Sequence, residues 1–305
     1  MRTLLLWCAQ NRWLAAHVPR WGFARRAVRR FLPGEGFDDA LRAAVAFKPR
    51  HVGALFTRLG ENVTDLAEAR AVVEHYESVL SESAAAGIDF EISVKPTQLG
   101  LDLDAGAAYA NLQRLAAAAA GVKSFLWIDM EGSGYTDRTI ELYTRLRRDH
   151  PRTGICLQAY LHRTAADIVR LLPLEPAIRL VKGAYSEPPD RAFQSKKDVD
   201  ANYLALSTLV LPEVRRTKLR LVLGTHDVEL VHRVAGFAEP LGVERAMLEV
   251  NMLYGIRTDQ LVKLAGEGYV VKDLIAYGDA WYAWYLRRLA ERPANVLFVA
   301  RQLLP

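Results

Sequence analysis

The chain has 305 residues, of which 51% are hydrophobic, and a formal net charge of +5. This is enough apolar material for a large core, so disorder of the whole chain is excluded. Only Cys8 and Cys156 are present, with no CxxC and no Cys/His ligand spacing. That excludes a disulfide framework and argues against a structural zinc site or any other metal site, and it fits a reducing cytoplasm.

The charge is uneven. Residues 1–34 hold seven arginines, at positions 2, 12, 20, 25, 26, 29 and 30, and no acid; the remainder carries 33 basic and 35 acidic residues. The basic balance therefore belongs to an N-terminal arm, which argues against nucleic acid as a partner of the main body. The apolar start "TLLLWCA" is too short to span a bilayer and lacks a signal-peptide pattern. Trp21, Ala24, Val28 and Phe31 recur at helical spacing with Arg25, Arg26, Arg29 and Arg30 between them. Such a helix suits either an anionic membrane surface, placing the protein peripherally on the inner face, or a cap packed on the body. Residues 1–35 are read as this arm, 36–305 as the main domain, and 36–48 as a helix leading into it.

From residue 51, eight short apolar runs follow, at 52–60, 90–96, 124–131, 154–160, 178–185, 219–226, 245–251 and 269–278. Between them lie segments of good helix propensity such as 64–86, 105–120 and 195–216. Asp137, Thr164, Asp198, Asp227 and Asp279 stand near expected helix starts, where short oxygen-bearing side chains cap free amides. Strand then helix, repeated eight times over a chain of this length, predicts an α/β fold of the closed (βα)₈ TIM type. The competing doubly wound sheet lacks a GxGxxG turn after any strand.

Catalytic groups in such barrels sit at the C-terminal strand ends. Those ends carry Lys95, Asp129 with Glu131, Gln158 with Tyr160, Lys182 with Tyr185, and Thr225 with His226. No HExxH pattern and no GxSxG elbow accompanies them. Near the C-terminus, Arg287 and Arg288 stand adjacent in an aromatic helical pattern. Glu291, three or four residues on, would make an ordinary exposed ion pair with them; the alternative is a carboxylate clamp built from planar paired hydrogen bonds.

The strings "SVKPTQLG", "WIDMEGSGYTD", "TGICLQAYLHRT", "RLVKGAYSEP", "NMLYGIR" and "YLRRLAERPAN" resemble, in order and spacing, the proline dehydrogenases. The resemblance runs from about residue 36 to the end. It implies a distorted (βα)₈ barrel holding non-covalent FAD over the strand ends, oxidising L-proline to Δ¹-pyrroline-5-carboxylate and passing electrons to a quinone. It further implies that the last helix covers the barrel mouth, with Arg287 and Arg288 gripping the substrate carboxylate, Lys95 assisting, and Glu291 ordering the arginines. Asp129 would belong to the catalytic network and Arg179 would lie at the reactive flavin edge. Met130, Gln158, Lys182, Gly183, Ala184, Thr225 and His226 match FAD contacts, and Tyr185 and Leu253 match apolar pocket walls.

Two departures bear on substrate. Leu274 stands where the family places a tyrosine that packs on the substrate ring, and Ala276 stands where it places a proline. Losing an aromatic wall and its hydroxyl admits hydroxyproline or another cyclic secondary amine as an alternative substrate, although one pocket substitution usually shifts preference by only about 1–3 kcal/mol. Asn251 replaces a more usual glutamine before "MLYG". A catalytically silent amino-acid-binding barrel is the reading from a different class.

Overall fold

The structure, a computed structural model, describes residues 28–217 and 219–291, together with residues 5, 7, 8, 11–18, 21, 22 and 24 of the N-terminal stretch. Two short-range signals in the sequence become its elements. Continuous apolar runs rich in Val, Ile and Leu form strands covered on both faces, as a parallel sheet demands. Ala-, Leu- and Glu-rich segments form the crossover helices.

In chain order the main elements are α1 (Arg12–His17), α2 (Phe37–Phe47), β1 (Gly53–Arg58), α3 (Leu66–Ala85), β2 (Phe90–Val94), α4 (Ala105–Gly121), β3 (Leu126–Ile128), α5 (Thr136–Asp149) and β4 (Thr153–Gln158). They continue through α6 (Thr164–Leu171), β5 (Ala177–Val181), α7 (Lys196–Arg216), β6 (Arg220–Gly224), α8 (Val228–Ala238), β7 (Leu248–Leu253), α9 (Thr258–Gly266), β8 (Val270–Tyr277) and α10 (Trp281–Glu291). The eight strands pair in sequence order and β8 closes on β1, all parallel. The expected TIM-type barrel is therefore the fold.

The expected strands overran at their ends. The run 124–131 yields only Leu126–Ile128, and Asp129 to Glu131 lie in the loop beyond it. The run 245–251 is displaced: Arg245–Met247 forms a single 3₁₀ turn, and the strand continues to Leu253. Apolar character alone does not mark where ladder pairing stops, because loop residues facing the barrel mouth are also buried. At the helix starts, Asp227 caps α8 by accepting from the Leu230 amide at 3.3 Å, whereas at α7 the cap is Ser195 and Asp198 sits one turn inside, donating its amide to the Ser195 hydroxyl at 3.1 Å.

Period-two alternation divides the barrel interior into layers. Leu55, Trp127, Ala177 and Val222 of four different strands and Phe125 just before β3, with Leu274 against them, form one cluster apart from the main core. Below it, Arg220 reaches Glu91 at 2.7 Å and also pairs with Glu249, while Lys272 reaches Asp89 at 2.6 Å. Trp127 Nε1 donates to Glu91 at 2.6 Å, tying that ionic floor to the apolar layer. Above it stand Ser93, Asp129 and Arg179. The larger core lies between barrel and helices.

The arm's apolar positions are turned inward. Ala24, Val28, Phe31 and Leu32 are buried with Trp281, Tyr282, Tyr285 and Leu289 of α10 in a separate cluster over the β1 and β8 ends. Trp21, expected on the same stripe, is 42% exposed, as are Trp7 (58%) and Trp13 (60%).

One core residue works against stability. Asp273 on β8 is 1% exposed and its Oδ2 finds no hydrogen-bond partner among the described residues. Burial pushes its carboxyl up from 3.8 to about 8. A carboxyl raised in the folded state stays protonated there while the unfolded chain releases its proton. Stability is therefore full at acid pH and is lost as pH rises through about 8. Asn keeps the shape without the ionisation, so Asp273→Asn is expected to stabilise by at least about 2 kcal/mol at pH 8 and by little at pH 4. Urea unfolding at the two pH values checks this.

Candidate active site

The upper interior layer is a buried polar triad. Ser93, at the end of β2, donates to Asp129 Oδ1 at 2.7 Å, and Arg179 on β5 donates to the Ser93 hydroxyl at 2.9 Å and to the same Asp129 oxygen. The Arg179 side chain is 3% exposed and that of Asp129 18%, so the pair sits where solvent barely reaches. Burial opposes the guanidinium charge most strongly, but Asp129, Cys156 and Glu91 together outweigh it and hold the Arg179 pKa above its ordinary value. Its Cζ also lies 5.2 Å from the Trp127 ring centroid, so the aromatic layer supports the cation from below. Burial pushes the neighbouring Cys156 thiol up, keeping it neutral.

Two buried polar atoms here have no partner among the described residues: Arg179 Nη1 and Gln158 Oε1. Gln158 ends β4, and its amide nitrogen donates to the Met130 and Glu131 carbonyls, both at 3.2 Å, which turns the oxygen the other way. Leaving a buried donor and a buried acceptor unmade costs about 1–3 kcal/mol each, so a polar ligand that satisfied both would regain that energy.

The rest of the strand-end set divides. Gly183 has φ +114°, and a Cβ there would lie 2.3 Å from the Tyr160 ring, so only glycine lets this turn pass. Ala184 and Tyr185 follow it. The Lys182 ammonium is committed to Asp200 and to Asp227, the latter at 3.1 Å. The Thr225 hydroxyl accepts from the Asp227 amide at 3.1 Å, and His226 Nε2 accepts from the Leu253 amide at 2.9 Å. That contact places the proton of a neutral His226 ring on Nδ1. Leu253 and Leu274 are partly buried neighbours in the β7–β8 register.

A second cluster forms where α10 crosses the mouth. Arg287 donates to both oxygens of Glu61, at 2.8 and 3.4 Å, and its Cζ stands 5.5 Å from the Tyr185 ring centroid. Burial raises the Glu61 carboxyl, but Arg287 and then Lys95 more than offset this, leaving its pKa below the usual value. Burial likewise holds the Tyr185 phenol neutral. Glu131 is 3% exposed, and burial drives it up to about 7, although two bonds from Thr97 and the Lys95 charge pull the other way. Lys95, Glu61, Glu131, Tyr185 and Arg287 therefore lie within one another's fields. Arg288 is half-buried on the same helix.

The partner expected for the arginines was Glu291, whose side chain lies outside the described residues; the described carboxylate on Arg287 is Glu61. Sequence reasoning missed Glu61 and Ser93. Glu61 carried a signal, an acid directly after an expected strand end. Ser93 carried none, since a serine inside an apolar strand ordinarily reads as filler.

The chain is similar to known proteins in sequence and in fold. Residues 40–301 match the model of the family described as proline dehydrogenase. Proline dehydrogenase 1 of Bacillus subtilis subsp. natto is 31% identical over 304 residues, covering 100% of this chain and 99% of the relative, and the proline dehydrogenase of Deinococcus radiodurans is 33% identical over 294 residues, covering 95% and 92%. Among solved structures, proline utilization A of Bdellovibrio bacteriovorus superposes with a TM-score of 0.81 at 21% identity, over 95% of this chain but 36% of that longer one. A family match across most of the sequence, relatives alike over their full length and the shared closed barrel together lead to one conclusion: this chain belongs to the proline dehydrogenase family of oxidoreductases.

Proposed function

We propose that this protein oxidises L-proline to Δ¹-pyrroline-5-carboxylate with non-covalent FAD, passing the electrons on to a quinone. The observation that carries the reading is the buried Arg179 beside Asp129 and Ser93, with Arg179 Nη1 and Gln158 Oε1 both unsatisfied at the mouth. A buried donor and a buried acceptor that both lack a partner among the described residues fit a heteroaromatic ring edge that alternates ring N–H, ring nitrogen and carbonyl. When bound, FAD supplies the acceptor for the hydride that leaves the carbon beside the substrate nitrogen.

Met130, Gln158, Arg179, Lys182, Gly183, Ala184, Thr225 and His226 would hold the cofactor. Lys182 would act from within its pair of carboxylates, and Gly183 through the close backbone approach that its missing Cβ permits. Arg287 and Arg288 grip the substrate carboxylate with Lys95 adding charge, and Tyr185, Leu253 and Leu274 form the ring walls. Loss of hydride requires the amine to be neutral, so that its lone pair stabilises the forming iminium. Arg179 offers a fixed cation where negative charge builds up, at no reorganisation cost because Asp129 and Ser93 already orient it.

An anaerobic visible spectrum of the purified protein before and after L-proline tests this reading. A flavin band that proline bleaches is expected; purified protein with no flavin band would sink the proposal. A band that ignores proline but bleaches with hydroxyproline or pipecolate would favour the second reading, which rests on Leu274 in the inner cluster.

Transfer to a lipid-soluble quinone suits peripheral contact with the inner face of the membrane. Among the described residues no helix is long and apolar enough to cross a membrane. The arm's Ala24, Val28 and Phe31 pack on α10, which leaves Trp7, Trp13 and Trp21 as its large exposed apolar groups among the described residues, in a stretch of seven arginines and no acid. Tryptophans with arginines suit an anionic headgroup layer. Replacing the three tryptophans by serine should abolish sedimentation with anionic vesicles while leaving proline turnover in solution unchanged; undiminished sedimentation would remove the arm from this role.

A further inference from the structure

The loop leaving β1 contains an uncommon backbone conformation. Asn62 has φ +56°, in the left-handed region that asparagine enters more readily than other L residues, and it is exposed, so packing of its own side chain does not hold it there. What holds the turn is Thr97, on the loop after β2. The Asn62 amide donates to the Thr97 hydroxyl oxygen at 3.1 Å, and the Val63 amide donates to the Thr97 carbonyl at 3.4 Å. One residue further on, Gln98 donates to the Arg58 carbonyl at 2.9 Å.

Thr97 can serve this way because Glu131 fixes its hydroxyl. The Thr97 O–H donates to Glu131 Oε1 at 2.6 Å and its amide donates to Oε2 at 3.1 Å. The hydroxyl has one hydrogen, and with that hydrogen committed to the carboxylate, its lone pairs are left to receive the Asn62 amide. Thr97 is 1% exposed and Glu131 3%, so water does not compete for these bonds. Glu61, whose carboxylate spans the Arg287 guanidinium, directly precedes Asn62 in the chain.

We propose that Thr97, oriented by Glu131, is a positioning residue for substrate binding: it fixes the turn at Asn62 and so holds Glu61 against Arg287, which presents that guanidinium to the substrate carboxylate in one orientation. The inference rests on the proline-oxidation reading for its substrate. Its contacts stand on the loop geometry alone.

The test compares wild type, Thr97→Val, Thr97→Ser, Glu61→Gln and the Glu61→Gln/Thr97→Val double variant in steady-state proline oxidation. Val matches threonine in shape but lacks the hydroxyl, so the KM for L-proline should rise about five- to tenfold with kcat within twofold. Ser keeps the hydroxyl and should restore the wild-type KM. In the Glu61→Gln background, Thr97→Val should add less than a twofold change, because its effect passes through Glu61. A Thr97→Val KM within twofold of wild type, or a full-sized effect in the Glu61→Gln background, overturns the role of Thr97. A wild-type flavin that proline does not bleach overturns the functional reading instead. Hydrogen exchange on the wild-type protein covers the case in which Thr97→Val does not fold: the Asn62 amide should exchange at least tenfold more slowly than an open loop amide, and free exchange there refutes the contact.

Discussion

Arg287→Met should raise the KM for L-proline about a hundredfold while the limiting rate of flavin reduction stays within about threefold of wild type. A charge-assisted pair of hydrogen bonds to a carboxylate is worth about 3 kcal/mol, and binding lost equally from ground and transition states appears in KM alone. Arg287→Lys should recover only part of the loss, because an ammonium cannot make the planar paired bonds. The substitution also leaves Glu61 without the cation that holds its pKa down. A depressed carboxylate contributes stability above its unfolded pKa of 4.5, and that contribution is lost as pH falls through the folded value. The variant should therefore lose the wild type's Glu61-dependent drop in stability on the acid side. Stopped-flow reduction at several proline concentrations separates KM from rate. An unchanged KM would make Arg287 a tie for the β1 loop and nothing more.

Arg179→Met should slow flavin reduction by proline at least a hundredfold, with the flavin still bound. A fixed donor or cation at a site of developing negative charge is worth about 2.7–4 kcal/mol when removed, and methionine fills the space without the charge. Among the described residues the Asp129 carboxylate would keep the Ser93 hydroxyl at 2.7 Å, and losing one member of a buried ion pair should cost about 3 kcal/mol of stability. Asp129→Ala should destabilise more, because it strands a guanidinium whose side chain is 3% exposed. Single-turnover reduction and urea unfolding of both variants check the two halves. Reduction at the wild-type rate by Arg179→Met would take that residue out of the chemistry.

The strand ends show why the expected site residues fared unevenly as neighbours. Asp129 was legible as an acid at an expected strand end and Arg179 only through the family resemblance; that the two meet was decided by the closed barrel, which brings the loop after β3 and the β5 strand together. Lys182 was legible as a strand-end cation, but its engagement with Asp200 and Asp227 was not, since those acids start or follow other elements. Ser93 was invisible for a related reason. Its importance comes from an arginine on β5 reaching across the barrel to it, a contact 86 residues away in sequence. The arm was legible as an amphipathic helix, but an apolar stripe fits a lipid surface and a protein surface equally well. Only the packing of Val28 and Phe31 against Tyr285 and Leu289 shows where that stripe went.

From the sequence alone came the barrel class, the number and order of its strands, the absence of a Rossmann fingerprint and the family resemblance. These depend on short-range periodicity, composition and the order of motifs, which survive translation into a string. Tertiary structure decided which group answers which: Glu61 on Arg287, Glu131 on Thr97, Asp129 on Arg179, and an Asp273 whose Oδ2 has no hydrogen-bond partner among the described residues. Electrostatic pairing and desolvation act through distances of a few ångströms and through burial, and in a closed parallel barrel each such distance is set by strands that lie dozens of residues apart.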